Sequence, residues 1–126
     1  VSIESVYDYA IIRVVPNVER QEFINAGVVL HCKSRRFLEA RIDLDVQRLI
    51  ALDADCDVEA IRAQLDLVWR VCDGEGPIGR QSQSERFHWL VSPRSTVLQM
   101  SPVHCGRTSD LERTLEHLLK IMVRRQ

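Results

Sequence analysis

The sequence lacks long apolar runs, an excess of either charge, and any internal repeat or low-complexity tract. Its strongest apolar run is interrupted by Arg13 and is much shorter than the roughly 20 residues of a transmembrane helix, so no membrane span is expected. The 17 basic and 18 acidic residues give a net charge of −1, which provides no overall field for holding a phosphate backbone. Nucleic-acid binding is therefore disfavoured.

The sequence also lacks the spacing of cysteine and histidine that indicates a disulfide framework or a metal site. Its four cysteines are Cys32, Cys56, Cys72 and Cys105. They contain no close pair, which favours reduced thiols and a cytoplasmic location. Neither CxxC nor HExxH occurs, so no metal site is predicted. Gly74–Gly79 matches the letters GxGxxG, but a helix precedes it where a dinucleotide fold needs a strand, so no cofactor is predicted.

The length of 126 residues and the hydrophobic share of 45% predict one hydrophobic core and a single domain over residues 1–126. Runs of β-branched and aromatic residues predict strands at 7–15, 26–32, 36–42 and 95–100. Only Lys33-Ser34-Arg35 separates the second and third strands, which favours an antiparallel hairpin. The first strand is apolar on both faces and is therefore expected at the centre of the sheet.

Helical spacing follows these strands. Asp45 is predicted to cap a short helix with Val46, Leu49 and Ile50 facing inward, and Asp57 to cap a longer one. Residues 73–79 are predicted to be a loop and residues 84–90 a helical turn. Ser109 with Glu112 predicts the capping box of a long C-terminal helix. Together these elements predict an α+β fold, with helices packed on a mainly antiparallel sheet of about four strands.

One region concentrates polar and basic residues around the last strand and the start of the last helix. The candidate anion-binding residues are Arg80, Arg94, Ser95, Ser101, His104 and Thr108. Free amides and the helix dipole favour an anion there, with Arg94 as a bidentate clamp and His104 as a donor or titrating partner. The alternative is that these residues hold the strand and helix together through turns and caps. Arg35 and Arg36 are interpreted as solvated loop charges.

Four segments of the chain resemble a known family. They are Tyr7–Pro16, Glu22–Leu30, Arg86–Leu90 and Pro93–His104. In this combination they are similar to domain of unknown function 3037, a family of small bacterial proteins. The family has no established activity, so the resemblance implies a shared fold and no catalytic residues. Its members are often encoded near a HipA-like kinase protein, which implies that such a kinase is a possible partner.

Two functional hypotheses follow, and whether the protein is an enzyme stays open. The first is a non-catalytic accessory or interaction module with a basic pocket for an anion. The second is a phosphoesterase or nuclease-like hydrolase that uses His104 as acid or base and Arg94 to stabilise charge on phosphate. A homodimer formed through an open sheet edge or the exposed hairpin is a further expectation.

Overall fold

The computed structural model describes residues 3–124, which contain one antiparallel sheet of five strands. The strands are β1 (Ser5–Val14), β2 (Ile24–Cys32), β3 (Phe37–Ile42), β4 (Leu98–Met100) and β5 (His104–Thr108). Their order is β3-β2-β1-β4, and β5 also pairs with β1. Strands β4 and β5 therefore follow one another along the same side of β1, while β3 forms the opposite edge.

Residues 3–124 also contain five helices that cover the two faces of the sheet. The helices are α1 (Val46–Leu52), α2 (Val58–Cys72), α3 (Gly76–Gly79), α4 (Gln83–Val91) and α5 (Leu111–Met122). The structure confirms the predicted α+β class, the mainly antiparallel sheet and the C-terminal helix. None of these helices combines the length and the apolar character that crossing a membrane requires.

The alternation of side chains along β1 divides the hydrophobic core in two. Ala10, Ile12 and Val14 pack with α1, α2 and α4 on one face of the sheet. Tyr7, Tyr9 and Ile11 point to the other face, where α5 covers them. Successive side chains of a strand point to opposite faces, so a strand that is apolar at every position is buried on both sides. The predicted central position of the first strand is confirmed.

The hairpin and the two early helices form as the sequence predicts. The pairing of β2 with β3 is antiparallel, and Arg36 takes a left-handed φ of 50° in the turn between them. Asp45 and Asp57 cap α1 and α2 through side chains that accept backbone N–H groups. The inward position predicted for Ile50 is wrong, because its side chain is 44% exposed.

The segment from residue 73 to residue 79 is a loop only in its first part. Gly76–Gly79 forms the one-turn helix α3, with a proline in its first turn. Proline is compatible with that position because the first N–H groups of a helix have no partner within the helix. The loop prediction is therefore wrong for these four residues.

The start of α5 also differs from the prediction. Its N-cap is Asp110, which accepts the Arg113 N–H at 3.1 Å, and not Ser109. Glu112 forms no capping box with Ser109, since its carboxylate is 2.5 Å from Arg41 on β3. The predicted capping box is therefore wrong, although the helix begins within one residue of the expected place.

Candidate functional site

The structure does not bring together the two side chains at the centre of the predicted pocket. The Arg94 guanidinium lies over the Trp89 ring, 4.2 Å from its centroid, and donates a hydrogen bond to the Trp89 carbonyl. Trp89 belongs to α4 and packs against the core on that side of the sheet. His104 contacts Tyr9, with 5.4 Å between the ring centroids, on the side that α5 covers. Arg94 and His104 therefore contact residues of the two different core clusters, on opposite sides of the sheet.

Two further candidates form hydrogen bonds within the fold. Ser101 is buried, accepts the Ile11 N–H at 2.8 Å and donates to the Pro102 carbonyl at 2.9 Å. The Thr108 hydroxyl accepts the Asp110 N–H at 3.1 Å and the Thr114 hydroxyl at 2.7 Å. These contacts support the alternative interpretation from the sequence, in which both residues stabilise turns and caps.

The remaining candidates, Arg80 and Ser95, are exposed. Arg80 ends α3 as its C-cap. The start of α5 already carries a negative charge, because the carboxylate of Asp110 caps it. A second anion at that end is disfavoured by repulsion between like charges. A role for Arg80, Arg94, Ser95 or His104 in anion binding stays a prediction.

A different hollow lies where the β2–β3 turn approaches the start of α4. Its smaller part, of about 370 Å³, is lined by His31, Lys33, Arg36, Ser82, Gln83 and Ser84. We call this part the His31 hollow. His31, Lys33 and Ser84 also line an adjoining space of about 1040 Å³ that extends along the uncovered face of β1, past Asp8 and the turn residue Arg35.

His31 forms the inner wall of the hollow. Its side chain stacks on Phe87 of α4, with 5.2 Å between ring centroids, and the residue is only 8% exposed. The Nε2 atom is buried and has no hydrogen-bond partner among residues 3–124. Burial lowers the pKa of His31, the cations Lys33 and Arg86 lower it further, and Asp8 opposes them. The imidazole is therefore held toward its neutral form.

Two cations and a helix N-terminus form the outer wall. Lys33 and Arg36 are exposed, and neither forms an ion pair within residues 3–124. Ser82 is the N-cap of α4 and accepts the Glu85 N–H at 3.1 Å. The N–H groups of the first helical residues, Gln83 and Ser84, have no partner within the helix. Cations and free amides directed at one space form a site for an anion.

Local hydrogen bonds hold the wall residues in place. Arg35 donates to the Ser5 hydroxyl at 2.9 Å and to the Ile3 carbonyl at 2.9 Å, which fixes the turn against the start of β1. Gln83 donates to the Arg36 carbonyl at 3.0 Å, which fixes the same turn against α4. Arg35 is exposed, as the sequence interpretation expects, but its guanidinium is also hydrogen-bonded to the start of β1, and Arg36 lines the hollow.

The sequence carries a signal for this site, although that signal is weak. Three of the four residues Lys33-Ser34-Arg35-Arg36 are basic, and they follow a histidine in a buried strand. Ser82 with Glu85 has the spacing of a capping box at the start of α4. What the sequence does not provide is the contact between these segments, because pairing and helix packing bring them together only in the folded chain.

The fold and this hollow define a small α+β protein with one basic hollow and an open sheet edge at β3. A family model described as protein of unknown function, DUF3037, matches residues 9–123, so the chain belongs to that family. The match confirms the family resemblance of the sequence. No curated protein and no solved structure matches the chain significantly.

Proposed function

We propose that the chain is a non-catalytic accessory or interaction module that binds an anionic group of its partner in the His31 hollow. The observation that carries this proposal is the position of Lys33 and Arg36 opposite the N-terminus of α4, with no acidic partner within residues 3–124 for either cation. Unpaired cations beside free backbone amides attract phosphate or carboxylate.

Two observations support binding over catalysis. Within residues 3–124 no Ser, Thr or Cys side chain is hydrogen-bonded to a histidine ring, as an activated nucleophile requires. The hydrolase hypothesis also needs Arg94 and His104 at one phosphate, and these side chains lie on opposite sides of the sheet. The basic pocket is therefore better placed at Lys33 and Arg36.

Titration with inorganic phosphate, followed by amide NMR, tests the anion site. We expect saturable shifts at Gln83 and Ser84, and roughly tenfold weaker binding in Lys33→Ala and in Arg36→Ala, since each loses a charge-assisted contact. Arg113→Ala is the matched control, because Arg113 is an exposed arginine in the first turn of α5. The proposal is overturned if the amides of α4 do not respond, or if all three variants weaken binding equally.

The family resemblance supports a HipA-like kinase protein as the partner. We expect the purified chain to form a complex with a HipA-like kinase protein, and a Lys33→Glu, Arg36→Glu double variant to lose that complex because it reverses the charge of the hollow. Size-exclusion chromatography of the mixture measures both outcomes, with Arg113→Glu as control. No complex with the unaltered chain overturns this partner. The phosphate titration then still decides the anion site.

A further inference from the structure

The two edges of the sheet differ in how they are protected. The edge formed by β4 and β5 is divided into pieces of three and five residues, with Ser101 and Pro102 at the break. The β3 edge is continuous over six residues and contains no proline. Among residues 3–124 no strand pairs with the outer side of β3. Proteins often block an open edge with proline, a bulge, a short strand or charged side chains, and of these β3 has only the charges of Glu39 and Arg41, so its backbone is the edge open to pairing.

The hydrogen-bond pattern identifies the groups that β3 directs outward. Asp43 donates its N–H to the Ala26 carbonyl at 2.8 Å, in the same register as the β2–β3 pairs. Alternate residues of an antiparallel strand bond to the same neighbour, so Glu39 and Arg41 also face β2. The backbone groups of Leu38, Ala40 and Ile42 consequently point away from the sheet.

A groove runs beside this edge, between β3 and α2. Its larger part, of about 760 Å³, and its smaller part, of about 140 Å³, meet at Ala40, Arg41 and Trp69. Trp69 lies on α2, lines both parts of the groove and is 47% exposed. An exposed tryptophan beside unpaired backbone groups is typical of an interface anchor.

The charges of β3 select a second copy of the chain as the occupant of this edge. Around a twofold axis at Ala40, antiparallel pairing places Glu39 of each copy opposite Arg41 of the other. An axis at Glu39 would place two carboxylates together, and an axis at Arg41 two guanidinium groups. Unlike charges directly opposite stabilise a strand pair and like charges destabilise it. The Ala40 register combines outward backbone groups on the axis with unlike charges on both sides of it, and it pairs five of the six residues of β3, whereas an axis at Ile42 leaves most of the strand unpaired.

We propose that two copies of the chain pair through β3 around a twofold axis at Ala40, which joins their sheets into one continuous sheet. The outward groups of Leu38, Ala40 and Ile42 then bond to Ile42, Ala40 and Leu38 of the second copy. Trp69 of each copy lies near the axis, because it borders both parts of the groove at the level of Ala40. This proposal does not depend on the anion site.

The environment of Glu39 adds support. Its carboxylate is 3.2 Å from Arg41 of its own chain, which also contacts Glu112 at 2.5 Å. Burial and the neighbouring Glu112 raise the pKa of Glu39 despite Arg41. One guanidinium shared by two carboxylates leaves Glu39 incompletely compensated. In the Ala40 register Glu39 gains a second guanidinium neighbour, Arg41 of the other copy.

Analytical ultracentrifugation of the full chain over a wide range of concentration tests the pairing. We expect a mass that rises with concentration from 14.5 kDa toward twice that value. Glu39→Arg and Arg41→Glu each place like charges opposite one another twice in the dimer, and each is expected to weaken association roughly tenfold or more. A chain that stays monomeric overturns the proposal, even if its β3 edge binds a peptide of another protein.

Mixing the two variants separates pairing from misfolding. Glu39→Arg presents two arginines and Arg41→Glu two glutamates, so a mixture places unlike charges at every cross-strand pair. We expect the mixture to form a heterodimer at concentrations at which each variant alone stays largely monomeric. Arg107→Glu on the opposite edge is the control and is expected to dimerise normally. Loss of the dimer in Arg107→Glu, or no recovery in the mixture of folded variants, overturns pairing through β3.

Discussion

Replacing Ser101 with alanine tests how the interrupted sheet edge is held together. The Ser101 hydroxyl accepts the N–H of Ile11 at 2.8 Å, where a continuous strand would offer a carbonyl. Both residues are buried, at 5% and 7% exposure. Alanine leaves the Ile11 N–H without a partner, and an unpaired buried donor costs about 1–3 kcal/mol. We therefore expect the free energy of unfolding to fall by about 2 kcal/mol and the Tm by roughly 5–10 °C.

Denaturant unfolding measures this effect, and the matched control is Ser95→Ala. Ser95 is exposed in the loop before β4, so its replacement is expected to change stability by less than about 0.5 kcal/mol. Amide exchange at Ile11 is expected to become faster in Ser101→Ala, because its hydrogen bond is lost. The reasoning is refuted if Ser101→Ala unfolds at the same midpoint as the control and the Ile11 amide stays equally protected.

Two other predictions concern residues of β2. In Gly27→Ala, a Cβ atom would lie 2.6 Å from the Arg41 carbonyl oxygen on β3, and this overlap is expected to lower the free energy of unfolding by about 1–3 kcal/mol in a denaturant titration. Burial lowers the pKa of His31 in the folded chain below the value of 6.5 that it has when unfolded. The unfolded chain therefore binds a proton at a higher pH than the folded chain does, and the free energy of unfolding falls as the pH drops from 6.5 toward the pKa of the folded state. His31→Gln is expected to remove part of this loss when unfolding is measured across that pH range, and an unchanged pH profile would contradict the assignment.

Features set by neighbouring residues in the chain were predictable. The Asp45 and Asp57 caps depend on one side chain and the amides a turn away, so sequence spacing determines them. The β2–β3 hairpin likewise follows from two β-rich runs separated by a short basic turn. At the start of α5, Ser109 and Asp110 could each act as the N-cap. Arg41 on β3 forms an ion pair with Glu112, so Glu112 does not form the predicted capping box with Ser109.

Strand β5 shows why the fifth strand was missed. His104 and Cys105 are exposed, as is Arg107, so the segment has neither the apolar alternation nor the β-branched content that identifies a strand. It is extended because the first half of β1 continues beyond β4 and offers unpaired backbone groups from Ser5 to Tyr9. Pairing of this kind depends on the length of a neighbouring strand, which local sequence does not contain.

The same reasoning explains why the proposed anion site differs from the predicted one. The predicted site and the His31 hollow both rest on cations beside a helix N-terminus, so the chemical principle is the same in both. At α5 the cap is a carboxylate, Asp110, which makes that end unfavourable for an anion. At α4 the cap is an uncharged serine, the carboxylate of Glu85 lies in the first turn, and the hairpin turn places two cations, Lys33 and Arg36, beside them. The proposed choice of α4 over α5 therefore rests on the capping residue of α5 and on the packing of one hairpin, and both became known only from the folded structure.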